Sequence, residues 1–153
     1  HQPEARDLRS MVSYLKMTNE IVRAGTNTKS FIKNFSKSLH SDIDFDNILE
    51  FSIPLQKASL AAIKTSIEII KIDTIQEIEK SYQKVLVEES KTDDLYAMIE
   101  KNLLKKLSSK IELSKDYLDI LSSLRRLEKI ADRAASIANL LIFAHLGEEL
   151  HQA

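Results

Sequence analysis

Cysteine and tryptophan are absent from this sequence, and glycine and proline occur only twice each. Without cysteine the chain has no disulfides and no thiolate metal ligands, a composition that fits a reducing compartment. Two glycines and two prolines leave few residues that form turns. The sequence therefore predicts a few long elements joined by few connections.

The chain also lacks an excess of charge of either sign and a long apolar run. Its 22 basic and 23 acidic residues give a formal net charge of −1, so composition gives no reason to expect nucleic acid or an anionic membrane as a partner. No stretch reaches the roughly 18 consecutive apolar residues of a membrane span, and no secretory signal is visible. We expect a cytoplasmic protein that is at most peripheral to a membrane.

Apolar residues make up 43% of the 153 residues and recur at i, i+3 and i+4, the spacing of a helix with one buried face. The sequence thus predicts an all-α fold with a real core. Pro54 either kinks the second helix or marks its start, Asp73 can cap the third, and Gly147 ends the fourth. The predicted helices span residues 3–37, 46–71, 74–107 and 113–146.

The second predicted helix is apolar over most of its circumference. One arc of its surface carries Leu49, Ile53, Leu60, Ile63, Ile67 and Ile70. A second arc carries Ile48, Leu55, Ala58, Ala62 and Ile69. A helix with two apolar arcs is expected to be packed on two sides.

An internal repeat relates the first helix to the fourth. Setting Asp132 against Thr26 aligns "LEKIADRAASIANLL" with "IVRAGTNTKSFIKNF" without a gap. The acidic residues of the fourth helix are not repeated, because the counterparts of Glu128 and Asp132 are Val22 and Thr26. The two helices are therefore copies of one unit that differ in their acidic residues.

Four acidic residues stand out on the third and fourth helices. Glu89 and Asp93, with Thr92, interrupt the apolar stripe of the third helix, so the periodicity predicts that both are at least partly buried. Glu128 and Asp132 lie one turn apart on the fourth helix, where their like charges repel. Burying an unpaired carboxylate costs several kcal/mol. These residues need basic partners, a proton or a bound cation.

Two antiparallel helices joined by a short break would bring the four acids to the same level, since each pair lies about fifteen residues from the break at ~1.5 Å per residue. An all-oxygen cluster of this kind suits a hard cation such as Mg²⁺, Mn²⁺ or iron. The alternative is a set of ion pairs, with Glu128 bound to Arg125, Asp132 bound to Lys129 and Glu89 bound to a lysine of another helix. The residues alone leave both readings open.

The sequence gives no positive case for catalysis. It has no glycine-rich phosphate loop and no grouping of Ser, His and Asp, so we assign no catalytic or cofactor-binding residues. The segment "EELH", Glu148 to His151, has the Glu-x-x-His spacing of di-iron bundles but no second copy. The lack of histidine at the four acids also disfavours a di-iron oxidase.

Three motifs, in order along the chain, resemble the PhoU family of phosphate-uptake regulators. "LRRLEKIADRAASIA" is similar to the family's helix motif with its Glu/Asp-x-x-x-Asp metal signature, which Glu128 and Asp132 match. "EESKTDDLY" resembles the family's acidic stretch and places Glu89 and Asp93 in a second such spacing. "QPEARDLR" resembles the start of the same helix in the family's first repeat.

The resemblance implies two tandem three-helix bundles, with residues 41–153 as a complete second bundle. Residues 1–40 would be the last helix of an incomplete first repeat whose other two helices precede His1. That helix carries much apolar surface, to be covered by the second bundle, by a partner chain or by residues outside this sequence. The resemblance also implies that Val22 and Thr26 leave the first repeat without a metal cluster.

By the same resemblance, the expected function is negative regulation of phosphate uptake and of the phosphate-starvation response. The implied partners are the ATPase subunit of the phosphate ABC transporter and a sensor histidine kinase, with a homodimer as the expected assembly. The implied metal at Glu89, Asp93, Glu128 and Asp132 is iron, Mg²⁺, Mn²⁺ or Zn²⁺. The alternatives are a PhoU-like cytoplasmic domain of a sodium/phosphate cotransporter and a metal-free helical interaction module.

Overall fold

The computed structural model describes residues 2–39 and 42–146, with side chains from residue 4 onward. The described residues form four long α-helices and no strand, which confirms the all-α prediction. No described helix combines the length and the apolar character that crossing a membrane requires. The helices are α1 (Gln2–Ser38), α2 (Phe45–Glu68), α3 (Ile75–Ser109) and α4 (Ser114–Leu146), and short 3₁₀ turns span Ile69–Lys71 and Ile111–Leu113.

Helices α2, α3 and α4 pack on one another as a three-helix bundle, whereas α1 has α4 as its only neighbouring helix among the described elements. Met17 shares a core cluster with Leu141. Phe35, further along α1, shares a second cluster with Tyr117. Helices α1 and α4 therefore run in opposite directions, and the core continues from the bundle into the seam between them.

Helix α4 packs against α1, α2 and α3, and its surface carries both small and large apolar residues. Ala131, Ala134 and Ala138 are completely buried, and their small side chains let neighbouring helices approach closely. Larger side chains then fill the space between helices, and burying each contributes roughly 1.5–3 kcal/mol. The larger residues of α4 that are 0–1% exposed are Tyr117, Ile120, Leu124, Ile137, Leu141 and Ile142.

Helices α2 and α3 begin within one residue of the predicted starts, but their caps differ from the prediction. Asp44 caps α2, with its side chain accepting a hydrogen bond from the backbone N–H of Asn47 at 3.5 Å. Pro54 lies inside α2, so the prediction that it marks the start of the helix is wrong. The predicted cap Asp73 is also wrong, because the extended residue Thr74 caps α3 and makes no side-chain hydrogen bond there. Gly147, the predicted end of α4, lies outside the described residues.

Helix α2 is packed on one side, and the prediction of two packed sides is wrong. The arc with Ile48, Leu55, Ala58, Ala62 and Ile69 is buried against α3 and α4. Most of the other arc faces outward, because α1 packs along α4 and leaves this side of α2 without a neighbour. The exposed members are Leu49, Ile53, Leu60, Ile67 and Ile70.

Candidate metal centre

The antiparallel arrangement of α3 and α4 brings acidic side chains of the two helices together. Glu89 and Asp93 of α3 and Asp132 of α4 each offer one carboxylate oxygen, and these three oxygens lie within 4.8 Å of one another. Spacings of four residues explain the pair on α3, since residues i and i+4 are neighbours on one helical face. We call these three residues the acidic triad.

Glu128, the fourth residue singled out in the sequence, is not a member of the acidic triad but lies within its electrostatic range. Partial burial, the charges of Asp132 and Asp93 and hydrogen bonding with Asp93 raise the pKa of Glu128, while the charge of Arg125 partly offsets them. The structure thus brings three of the four acids within ligand distance of one another and places the fourth beside them.

Glu89 and Asp132 of the acidic triad have raised pKa values. Partial burial raises the pKa of Glu89, and the charges of Asp93, Asp132 and Glu128 raise it further. Partial burial and the charge of Asp93 raise the pKa of Asp132 despite the nearby basic residues. Carboxylates with raised pKa values are less stable in their charged form than carboxylates in water. A proton or a cation bound at this position would relieve the repulsion.

The two acids of α3 differ in burial, which corrects the sequence prediction for one of them. Glu89 is partly buried, as its place in the apolar stripe predicts, but Asp93 is exposed. Thr92 takes the inward position instead: it is fully buried, and its hydroxyl donates a hydrogen bond to the carbonyl oxygen of Glu89 at 2.6 Å. Successive residues of a helix point about 100° apart, so only one of the neighbours can face the core.

A family model described as the PhoU domain matches residues 55–141, more than half of the chain. The chain belongs to the PhoU domain family. The match confirms the resemblance seen in the sequence, and all four acids lie within it, as do α3 and most of α4. Searches among curated proteins and among solved structures gave no match.

Ion pairs with the described basic residues do not neutralise Glu128 and Asp132 of the candidate metal centre. In the described part of the chain Glu128 forms no salt bridge with Arg125, and Asp132 forms none with Lys129. Arg125, Lys129 and Arg133 lie near enough to lower the pKa of Asp132, but burial and Asp93 outweigh them. The two ion pairs that the alternative reading requires are therefore not formed among the described residues.

Arg133, which borders the acids of the PhoU domain in sequence, binds Glu20 of α1 instead. Its Nη1 donates to Oε2 of Glu20 at 2.9 Å, and the Oε1 atom of Glu20 lies 3.7 Å from Nη1 of Arg23. The sequence analysis missed Glu20. A single acid on a helix gives no signal until the register of α1 against α4 is known.

The donor set of the acidic triad fits a hard cation. Oxygens bound to one ion at ~2.0–2.6 Å lie no more than about 5 Å apart, and the three oxygens of the triad are all within 4.8 Å of one another. Three carboxylates supply oxygen only, which favours Mg²⁺ or Mn²⁺ over Zn²⁺, an ion that more often takes nitrogen and sulfur ligands. Because Asp93 is exposed, water has access to complete the coordination of an ion in the PhoU domain.

Proposed function

We propose that this protein is a regulator of phosphate uptake and of the phosphate-starvation response. The observation that carries the proposal is the PhoU domain at residues 55–141, since proteins with this domain are regulators rather than enzymes. In this proposal the protein is cytoplasmic. It contacts the ATPase subunit of the phosphate ABC transporter and a membrane sensor histidine kinase.

The proposal includes a structural or regulatory metal ion. Glu89, Asp93 and Asp132 would hold it, with Glu128 as a fourth acid beside them. The ion would cancel repulsion between carboxylates that belong to different helices, and so would hold α3 against α4. The three raised pKa values and the 4.8 Å spacing of the triad support this role.

Elemental analysis after exhaustive dialysis tests the metal. The parent protein should retain a divalent ion or iron, and the double variant Glu89→Gln/Asp132→Asn should lose it because two of three ligands become neutral amides. A matched control is Glu79→Gln/Asp94→Asn, which changes an exposed Glu and an exposed Asp of α3 outside the triad. Equal metal content in the two double variants would contradict the site. Absence of metal from all three proteins would leave the metal-free interaction module.

Helix α1 belongs to the same proposal as the last helix of an incomplete first repeat, within residues 1–40. Its sequence similarity to α4 supports this assignment, as does its packing, which involves no described helix other than α4. Residues 41–153 would form the complete second bundle. The exposed residues Leu8, Met11 and Leu15 lie on one face of α1 and are each more than 60% exposed, which supports a homodimer that covers them.

A sedimentation experiment tests the homodimer. Parent protein should sediment as a dimer at micromolar concentration, and Leu15→Glu should shift it toward monomer, since the new charge would be buried at the contact. Lys16→Glu, at the neighbouring exposed position, is the matched control and should leave the dimer intact. A parent protein that is monomeric throughout would contradict this assembly.

Regulation itself is tested in the cell that produces the protein. Deleting the gene should raise phosphate uptake and switch on the phosphate-starvation response in phosphate-rich medium, because a negative regulator has been removed. Restoring the parent gene should reverse both effects, and restoring Glu89→Gln/Asp132→Asn should reverse them less. Unchanged uptake and an unchanged starvation response after deletion would overturn the proposal.

A further inference from the structure

A basic groove lies where α1 crosses α4, away from the acidic triad between α3 and α4. Its volume is about 350 Å³, within the roughly 300–1,000 Å³ of typical small-molecule sites. The lining contains four basic residues, two neutral polar residues and no acid. These residues are Arg23, Thr26 and Asn27 of α1 and Arg126, Lys129 and Arg133 of α4.

Helical spacing explains why the basic groove exists. Arg126, Lys129 and Arg133 follow at intervals of three and four residues, so they lie along one face of α4. Arg23 and Asn27, four residues apart, lie along the facing side of α1. In the repeat alignment Arg23 corresponds to Lys129 and Asn27 to Arg133, so the groove forms where equivalent parts of the two copies meet.

Acidic residues compensate the charge of the groove only in part. Glu20 is the one carboxylate that pairs with its lining among the described residues, and it binds Arg133 and Arg23. Arg126 and Lys129 form no ion pair with any described carboxylate. Asp132, three residues from Lys129 and next to Arg133 in sequence, also attracts both, but its carboxylate belongs to the triad and does not line the groove. The groove therefore keeps an excess of positive charge in a chain of net charge −1.

We propose that the basic groove binds an anion that carries a phosphoryl group, either inorganic phosphate or the phosphate of a small ester. Arginine forks bind tetrahedral oxyanions through paired hydrogen bonds. Two of the three arginines, Arg23 and Arg133, are positioned by Glu20, and Asn27 adds neutral amide donors. An anion with two or more charges offsets the mutual repulsion of four cations better than chloride does. This inference is independent of the proposed regulator function and of the metal.

Calorimetric titration tests the groove, with inorganic phosphate in one arm and adenosine diphosphate in the other. The protein is first treated with a chelator, so that neither ligand can bind through a metal at the triad. Titrations run at ~150 mM NaCl, where the Debye length of about 8 Å screens non-specific attraction. Similar binding of both ligands indicates a site for a lone phosphate, and much tighter binding of the nucleotide indicates an ester.

Variants assign the binding to the groove. Arg126→Gln/Lys129→Gln should weaken binding roughly tenfold or more, because two charge-assisted contacts are lost. Lys101→Gln/Lys105→Gln, at exposed positions of α3, removes the same charge elsewhere and should change binding little. Arg126→Lys/Lys129→Arg keeps the charge and should retain most of the affinity. Melting curves of all variants verify that they fold.

Two results would overturn the inference. One is the absence of heat from both ligands with the parent protein. The other is equal weakening of ligand binding in the groove variant and in the α3 variant, which would show that binding depends on the overall charge of the protein and not on the groove. Neither result bears on metal retention or on the starvation response in cells, so failure of the groove and failure of the proposed regulator function are distinguishable.

Discussion

Helices α1 and α4 carry two copies of one sequence pattern in different surroundings. Ala138 of α4 is completely buried, whereas its counterpart Ile32 in α1 is 59% exposed. Tyr117 is 1% exposed, and Met11, at the same offset along α1, is 63% exposed. The pattern is the same, but α4 is surrounded by α1, α2 and α3, while α1 has α4 as its only neighbour among the described helices. A helical period thus specifies which residues share a face, and the number of neighbouring helices decides whether that face is buried.

Truncating the two equivalent positions Tyr117 and Met11 gives the largest expected difference between the copies. Tyr117→Ala should lower the free energy of unfolding by about 3–5 kcal/mol, because it removes a large buried side chain and leaves a cavity. Met11→Ala should change it by less than about 0.5 kcal/mol at concentrations too low for the proposed homodimer to form, since the side chain is exposed in the single chain. Urea denaturation followed by circular dichroism measures both. Similar losses in the two variants would show that the exposed face of α1 is covered in solution.

Transferring the acids from one copy to the other is the next test. Val22→Glu/Thr26→Asp gives α1 the acidic spacing of α4, yet it should bind no additional metal ion. The triad takes two of its three carboxylates from α3, and no described helix lies in the corresponding place beside α1.

The readout of the acid transfer is the metal-to-protein ratio and the metal-dependent gain in stability. A site filled at a hundredfold excess over its dissociation constant adds about 2.7 kcal/mol, so a functional second site would be evident. Parent and variant should instead gain the same amount from added metal. An extra equivalent of metal in the variant would show that one helix alone suffices.

A smaller effect on stability is expected at the position where α1 has a glycine and α4 has an alanine. Gly25 lies inside α1 at an exposed position, and a β-carbon added there would meet no atom within 4 Å. Gly25→Ala should therefore raise the free energy of unfolding by about 1 kcal/mol, the difference in helix propensity. Ala131→Gly at the equivalent buried position should lower it by at least as much. A loss of stability in Gly25→Ala would mean that another chain packs closely on α1.

The smallest expected effect is the pH dependence of the free energy of unfolding, which the acids of α3 and α4 cause and α1 does not. The folded chain holds protons on Glu89, Glu128 and Asp132 more tightly than the unfolded chain, because their pKa values are raised from 4.5, 4.5 and 3.8. The unfolded state binds fewer protons over that range, so stability falls as the pH rises through it. The resulting penalty is absent below the ordinary carboxyl pKa values and complete above the raised ones.

Chelator-treated parent protein and Glu89→Gln/Asp132→Asn are compared by urea denaturation at several pH values to measure this penalty. The parent should lose stability relative to the variant as the pH rises above the ordinary carboxyl pKa values of about 4, and α1, which lacks these acids, contributes nothing to the difference. Adding metal at pH 7 should remove the parent's disadvantage. A difference that is constant with pH would mean that the acids are not strained.

Much of the fold and part of the candidate site can be predicted from the sequence, for physical reasons. Helical period and scarce turn residues define four helices, and the fixed rise per residue brings Glu89 to the level of Asp132. The helical period does not resolve which of two adjacent residues at the edge of an apolar stripe faces the core. For this reason the sequence did not show that Thr92 is buried and Asp93 is exposed. It also cannot give the register between distant helices, which pairs Glu20 with Arg133.

The outward arc of α2 shows a third limit of sequence reasoning. Leu49, Leu60 and Ile67 are as apolar as residues of the buried arc, but they are exposed because α1 packs on the far side of α4. The apolar character of a side chain determines how much free energy its burial against a neighbour would contribute. It does not state that the neighbour is there.

The pairing of the first described helix with the last affects how the chain emerges from the ribosome. Translation at about 5–20 residues per second separates the synthesis of α1 from that of α4 by several seconds or more. During that interval none of the described helices made so far is a native neighbour of α1, since among the described helices it packs on α4 alone. Chaperones that shield nascent apolar segments should therefore bind α1 first and release it when α4 arrives.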